Sequence, residues 1–145
     1  CGTPPPLPPQ NVRVLIGILS APRAGARRRA AIRESWLQWP RAGAAVSNQL
    51  MACFGLGSRG LSSGARKRHD ASDVLWLNVG EIGHDLSIPK ALAWWSAAAS
   101  AMGHFTHAAK VDDDTFVHVP NFLQAVAAAH ATSMAAASSQ PGLAQ

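Results

Sequence analysis

Residues 12–19 constrain the fold most strongly, because they form an almost uninterrupted apolar run rich in β-branched side chains. A short run of this kind is typical of a strand that is buried on both faces, as in a parallel sheet. Parallel strands need a crossover connection between them, which is usually a helix. The rest of the chain is therefore expected to alternate such strands with helices.

Further apolar runs are separated by helical patterns with recognisable ends. Pro40 ends the first helical pattern, while Ser87 and Pro89 open the second. Residues 57–72 are rich in glycine, serine and arginine, which predicts a loop. The order β-α-β-β-α-β-α predicts an α/β fold with helices on both faces of the sheet. Strands are predicted at 12–19, 49–56, 73–79 and 105–111, and helices at 27–38, 89–102 and 120–130.

Both ends of the chain depart from this pattern. Residues 1–10 are rich in proline and predict an extended linker or stem remnant, whereas residues 132–145 predict a disordered, low-complexity tail. The residues between them, 11–131, are predicted to form the folded unit. The sequence begins with Cys1 and not with methionine, so we expect it to be a piece of a longer chain. Its two cysteines are too few to predict a disulfide framework.

Charge is distributed unevenly along the chain. Residues 1–69 hold eleven lysines and arginines against one acid, and residues 70–145 hold two lysines against seven acids. The two parts therefore carry +10 and −5, which gives the net charge of +5. This asymmetry suits a diphosphate ligand between a basic part and an acidic metal site. Nucleic-acid binding is an alternative, but the arginines of residues 57–69 lack the interleaved aromatic residues that would favour it.

The strongest functional signal is the triplet Asp112-Asp113-Asp114, which follows one apolar run and precedes another. Adjacent carboxylates repel one another unless a positive group neutralises them, and a divalent cation with oxygen ligands can do so. The carboxyl end of a buried strand is also where ligands bind in open α/β sheets. The triplet therefore predicts a metal-phosphate site. A solvated acidic turn is the less favoured alternative, because apolar strand residues flank the triplet.

Four sequence blocks resemble, in the correct order, the signatures of the β-1,3-galactosyltransferase family, glycosyltransferase family 31. The second block resembles RxAIRxTW, the third L-T-x-K-T/A-L and the fourth K-x-D-D-D-x-F-V. The blocks are Ser20-Ala21-Pro22, Arg28-Arg29-Ala30-Ala31-Ile32-Arg33-Glu34-Ser35-Trp36, Leu86-Ser87-Ile88-Pro89-Lys90-Ala91-Leu92 and Lys110-Val111-Asp112-Asp113-Asp114-Thr115-Phe116-Val117. Three residues depart from those usual in the family, namely Ser35, Pro89 and His118.

The resemblance implies a GT-A fold, whose Rossmann-like sheet binds the nucleotide-sugar. It implies an inverting enzyme that uses Mn²⁺ or Mg²⁺. Such an enzyme moves galactose or an N-acetylhexosamine from a UDP-sugar to a glycan or glycoprotein acceptor in β-1,3 linkage. It also implies a type II Golgi membrane protein facing the lumen, anchored by a segment outside this sequence, and it does not imply a nucleic-acid partner.

The resemblance also assigns roles to individual residues. Asp114 is implied to be the direct metal ligand, with Asp112 as a second ligand that lies near the uridine ribose. The residues implied to line the nucleotide pocket are Ala21, Arg33, Lys90, Asp112 and Asp113.

In this family the general base is an acidic residue of the second half, which this sequence is expected to lack. No catalytic residue is therefore assigned in this chain, and we expect little transferase activity from it alone. The alternative function is a nucleotide-sugar-binding fragment or pseudo-enzyme that does not transfer the sugar.

Overall fold

The apolar runs form the four strands of one sheet in the computed structural model, which describes residues 12–39, 49–69, 71–81 and 87–138. The strands are β1 (Val14–Leu19), β2 (Leu50–Gly57), β3 (Val74–Leu77) and β4 (His107–Asp112). The helices are α1 (Ala26–Glu34), α2 (Ser63–Lys67), α3 (Ser87–Ala101) and α4 (Val119–Ser138), and a 3-10 turn at Trp36–Gln38 follows α1.

The sheet is parallel and has the strand order β3-β2-β1-β4. Every residue of β1 is buried, as expected for a central strand that is covered on both faces. The predicted α/β, Rossmann-like fold is thus confirmed, and its sheet is consistent with the GT-A fold.

The side chains of β1 alternate between two apolar layers because successive residues of a strand point to opposite faces. Ile16 and Ile18 belong to a core cluster that includes Ile32 of α1 and Leu123 of α4. The other face carries Leu15 and Leu19, with Trp94 and Ala98 of α3 in their cluster. The predicted placement of helices on both faces is therefore confirmed.

The helix α3 packs closely on the central strand. A Cβ atom added to Gly17 of β1 would lie 2.2 Å from Cε2 of Trp94, so the indole occupies the space that a side chain would need. Trp94 is 1% exposed and lies in the core between α3 and the sheet.

The direction of the chain across the sheet reverses between β1 and β4. The crossover through α1 leads from β1 towards one edge, and the crossover through α3 leads from β3 back to β4 at the other edge. The crevice at such a reversal, outside the carboxyl ends of the strands, is where open α/β sheets bind ligands. In this chain the strands at that point end in Leu19 and Asp112.

The structure differs from the sequence predictions in two helical segments. The predicted loop 57–72 contains α2, because the Ser62 hydroxyl caps the helix by accepting a hydrogen bond from the Ala65 amide at 3.2 Å. The last helix does not end near residue 130 but continues to Ser138, through an alanine-rich stretch of high helix propensity. The predicted disorder from residue 132 is therefore wrong as far as Ser138.

Several predictions lie outside the described residues. These are the linker 1–10, the helix stop at Pro40, the motif residue Leu86 and the last part of the tail, 139–145. Ser87, predicted as a helix cap, is the first residue of α3. Among the residues that the structure describes, no helix has the length and apolar character needed to cross a membrane.

Candidate functional site

The middle aspartate of the triplet lies beside the end of the central strand. Leu19 of β1 stands opposite Asp112 of β4 in the parallel register. The residues that follow them, Ser20 and Asp113, therefore lie side by side at the carboxyl ends of the two strands. The Asp113 amide donates a hydrogen bond to the Leu19 carbonyl at 3.1 Å. Strand pairing therefore continues into the triplet and fixes its position at the crevice.

Asp113 is 9% exposed, and both of its carboxylate oxygens accept hydrogen bonds. Oδ2 accepts one from the Ser20 hydroxyl at 2.7 Å, and Oδ1 accepts one from the Arg28 guanidinium at 2.9 Å. A buried carboxylate is costly unless it is paired and hydrogen-bonded, and these two partners meet that requirement. Asp113 therefore ties the loop after β4 to the loop after β1 and to α1.

Arg28 itself remains largely open to solvent, with its side chain 58% exposed. Its pKa is raised by the hydrogen bond to Asp113, by the charge of Asp113 and, to a smaller extent, by the charge of Asp114. The guanidinium thus stays charged at the rim of the triplet.

The neighbouring Arg29 is 3% exposed and donates hydrogen bonds to the loop after β1. Its NH1 donates to the Ser20 hydroxyl at 2.9 Å and to the Ala21 carbonyl at 2.5 Å, and its NH2 donates to the Pro22 carbonyl at 2.7 Å. Burial lowers the pKa of Arg29, and the nearby charge of Arg33 lowers it further. The predicted pocket residue Ala21 therefore lies in a loop that a buried arginine fixes in place.

Close packing around Ser20 requires a glycine at position 25. A Cβ atom on Gly25 would lie 2.0 Å from the Ser20 hydroxyl oxygen and 2.5 Å from Oδ2 of Asp113. Gly25 directly precedes α1, so the helix begins against the buried carboxylate. This close approach places Arg28 and Arg29, in the first turn of the helix, within reach of the edge.

Lys90 extends from α3, on the other face of the sheet, to the carboxyl end of β1. Its ammonium donates to Oε2 of Glu81 at 2.7 Å and to the Ser20 carbonyl at 3.1 Å. The second carboxylate oxygen of Glu81 accepts a short hydrogen bond from the Gly57 amide at the end of β2. The predicted pocket residue Lys90 thus joins the ends of β1 and β2 to the segment after β3.

The outer aspartates of the triplet are exposed on either side of the buried one. Asp112, at 63% exposure, forms an ion pair with Lys110 at 2.9 Å. Asp114 is exposed and has no hydrogen bond to any residue that the structure describes. Mg²⁺ and similar hard cations in phosphate sites need only one or two carboxylates, with phosphate oxygens and water as the other ligands. The two exposed carboxylates fit such an ion, although the described residues contain no cluster of three or more metal-binding side chains.

Comparison with known proteins identifies the family. The family profile described as Galactosyltransferase matches residues 27–140, which is most of the chain.

The chain belongs to the galactosyltransferase family.

A human relative, N-acetyllactosaminide beta-1,3-N-acetylglucosaminyltransferase 4, is 35% identical to this galactosyltransferase-family chain over 116 residues. The match covers 77% of the chain and 29% of the relative, so the chain spans less than a third of the relative's length. No solved structure gives a significant match.

One site residue predicted from the galactosyltransferase resemblance lies away from the triplet. Both Nε and NH2 of Arg33 donate to the Asp73 carboxylate, at 2.7 and 2.8 Å, and the guanidinium stacks over the Phe54 ring at 4.8 Å from its centre. Asp73 directly precedes β3, which is at the opposite edge of the sheet from β4. Arg33 would have to leave Asp73 to reach a nucleotide at the triplet.

Five residues of the candidate site were not identified as site residues from the sequence. The available signal was the small-residue turn that includes Ser20 and the arginine run that follows it. A buried carboxylate needs a cation, but only the turn geometry and the rotation of α1 decide which arginine supplies it. The residues are Ser20, Gly25, Arg28, Arg29 and Glu81.

Proposed function

We propose that this chain supplies the donor-binding part of a metal-dependent, inverting glycosyltransferase. The enzyme would move galactose or an N-acetylhexosamine from a UDP-sugar to a glycan or glycoprotein acceptor in β-1,3 linkage. Family membership supports sugar transfer. The single observation that carries the donor site is the anchored Asp113 between the exposed Asp112 and Asp114 at the crevice of the sheet.

The outer aspartates are proposed to hold a divalent cation, Mn²⁺ or Mg²⁺, with the oxygens of the donor diphosphate. Asp114 would be the direct ligand, and Asp112 would be the second ligand near the uridine ribose. The cation would supply charge stabilisation for the departing UDP. Asp113 is proposed to act as the support of the triplet, because its oxygens are already bonded to Ser20 and Arg28.

The residues on the other side of the crevice are proposed to shape the nucleotide pocket. Ala21 has a small side chain, which lets a ligand approach the loop backbone that Arg29 holds. Lys90 adds a positive charge at the edge, where it also keeps Glu81 in place. The Lys90 side chain is 11% exposed, so water would screen the attraction between its ammonium and a bound anion only weakly.

The relative supports the linkage and one of the possible donors. The human protein's name describes the transfer of N-acetylglucosamine in β-1,3 linkage to an N-acetyllactosaminide. We propose the same linkage here, with N-acetylglucosamine among the candidate sugars. A Golgi location on the lumenal side, with membrane attachment through a segment outside this sequence, is proposed from family membership alone.

The alternative proposal is a module that binds a nucleotide-sugar without transferring it. Asp113 and Glu81, the carboxylates near the loop after β1, are engaged in ion pairs and so are not available as a general base. These two residues therefore do not distinguish a transferase from a non-catalytic module. An acidic general base outside these 145 residues stays a prediction.

A panel of nucleotide-sugars tests the proposed donor class. Ligand-observed NMR with the 145-residue chain and Mn²⁺ should detect UDP-galactose, UDP-N-acetylglucosamine or UDP-N-acetylgalactosamine, and should detect GDP-mannose only weakly. Equal binding of the GDP- and UDP-sugars, or binding of none, would contradict a UDP-sugar site. Release of UDP on addition of a glycan acceptor would then separate the transferase from the non-catalytic module.

A further inference from the structure

The three arginines of the second sequence block, Arg28, Arg29 and Arg33, differ in what their N–H donors already bind. Arg29 is buried and donates to Ser20, Ala21 and Pro22. Arg33 donates two parallel hydrogen bonds, from Nε and NH2, to the Asp73 carboxylate. Both of these arginines hold the protein together, and neither presents its charge to the crevice.

Arg28 is different, because it is at the triplet and remains open. Its side chain is 58% exposed, and its hydrogen bond within the described residues is the one from NH1 to Oδ1 of Asp113 at 2.9 Å. A guanidinium carries several further donors in a planar arrangement. Most donors of Arg28 are therefore unused by the residues that the structure describes.

The position of Arg28 is fixed as well as open. Its partner Asp113 is buried and held by Ser20, so the guanidinium is anchored at the residue that directly precedes the exposed Asp114. The lysines near the triplet are already paired, Lys90 with Glu81 and Lys110 with Asp112 of the triplet itself. A planar guanidinium can bind two oxygens of a phosphate at once, which a lysine cannot do.

We propose that Arg28 binds the diphosphate of the donor nucleotide and links it to Asp113. This role rests on the proposed function, because it requires the diphosphate to lie at the triplet. Sequence resemblance places Arg33 in the nucleotide pocket, but its donors are occupied by Asp73, so the phosphate contact is assigned here to Arg28.

The test compares UDP with uridine, which differ only in the diphosphate, for the 145-residue chain in the presence of Mn²⁺. Arg28→Gln should weaken UDP binding about tenfold or more, since a hydrogen bond to a charged group is lost, and should leave uridine binding unchanged. Arg28→Lys should fall between the wild type and Arg28→Gln, because it keeps the charge without the planar donors.

Arg27→Gln is the matched control, because Arg27 is the preceding residue of α1 and is exposed. It removes the same charge, so it should change UDP affinity by no more than about twofold, as expected for an exposed charge. Circular dichroism of each variant shows whether it is folded. If Arg28→Gln folds poorly, Arg28→Lys provides the comparison.

The outcomes separate this inference from the proposed function. Unchanged UDP affinity in Arg28→Gln, or an equal loss of UDP and uridine affinity, would overturn the role of Arg28 and leave the donor site standing. A folded wild-type chain that binds UDP neither with nor without Mn²⁺ would overturn both.

Discussion

At the scale of single residues, the candidate site depends on the buried Asp113. Asp113→Ala would remove the acceptor of the Ser20 hydroxyl and of the Arg28 guanidinium, and Ser20 in turn contacts the buried Arg29. Loss of one partner from a buried polar network costs about 2–4 kcal/mol. We expect the urea midpoint of unfolding to fall accordingly, whereas Asp114→Ala should leave it nearly unchanged because Asp114 is exposed. Equal midpoints for the two variants would contradict the anchoring role.

Gly25 provides an independent test at the same point. Gly25→Ala would force the added methyl group against Ser20 and Asp113, and overpacking of this kind costs about 1–3 kcal/mol. Gly64→Ala is the control, because Gly64 lies in α2 with no atom within 4 Å of the added Cβ. We expect thermal unfolding to show a lower midpoint for Gly25→Ala and a similar or higher one for Gly64→Ala. A tolerated Gly25→Ala would show that the loop can shift away from the carboxylate.

At the scale of secondary-structure elements, α1 is held at both ends by arginines. Arg29 binds the loop before the helix, and Arg33 binds Asp73 in front of β3. Arg33→Lys would lose the paired hydrogen bonds and the stacking on Phe54. Because the pair is partly exposed, we expect a loss of only about 1 kcal/mol in unfolding free energy, measured by urea denaturation. UDP affinity should be unchanged in this variant, and a large loss of affinity would instead favour a nucleotide contact for Arg33.

The contact between α4 and β4 should respond to pH. The rings of His107 and His130 meet edge to face with centres 5.2 Å apart. Burial lowers the pKa of His107 from its ordinary 6.5, and the charge of His130 lowers it further. The folded chain therefore takes up a proton less readily than the unfolded chain, and stability falls as the pH drops below about 6.5.

His107→Gln should reduce this loss of stability on acidification. The comparison is the thermal midpoint at about pH 7.5 and about pH 5.5, in the wild type and the variant, since the unfolded histidine titrates between these values. A smaller drop in the variant is expected. An identical drop in both would assign the acid sensitivity to other groups.

The elements could be predicted from the sequence because their signals are local. The apolar run of β1 and the patterns of α1 and α3 each specify a buried strand or helix without reference to the rest of the chain. Residues 57–72 and the end of α4 were predicted less well. In the first a single capping serine starts a short helix, and in the second a run of alanines with low sequence complexity extends one. Composition alone does not distinguish such segments from loops.

At the scale of the whole molecule, the uneven charge of the sequence is partly neutralised by folding. Arg28 and Arg33 of the basic part pair with Asp113 and Asp73 of the acidic part, across 85 and 40 residues of sequence. The position of the triplet at the sheet edge could be predicted because the residues before it form a strand. Its partners could not, because they depend on which strands are neighbours and on how α1 is rotated.

The central claim is that the triplet forms a metal-dependent site for the donor nucleotide. Isothermal titration calorimetry of the 145-residue chain with UDP, with and without Mn²⁺, tests it most directly when repeated with Asp114→Ala. We expect UDP binding that requires Mn²⁺ in the wild type and is lost in the folded variant. UDP binding that is independent of Mn²⁺ or unaffected by Asp114→Ala, or no binding by a folded wild-type chain, would contradict the claim.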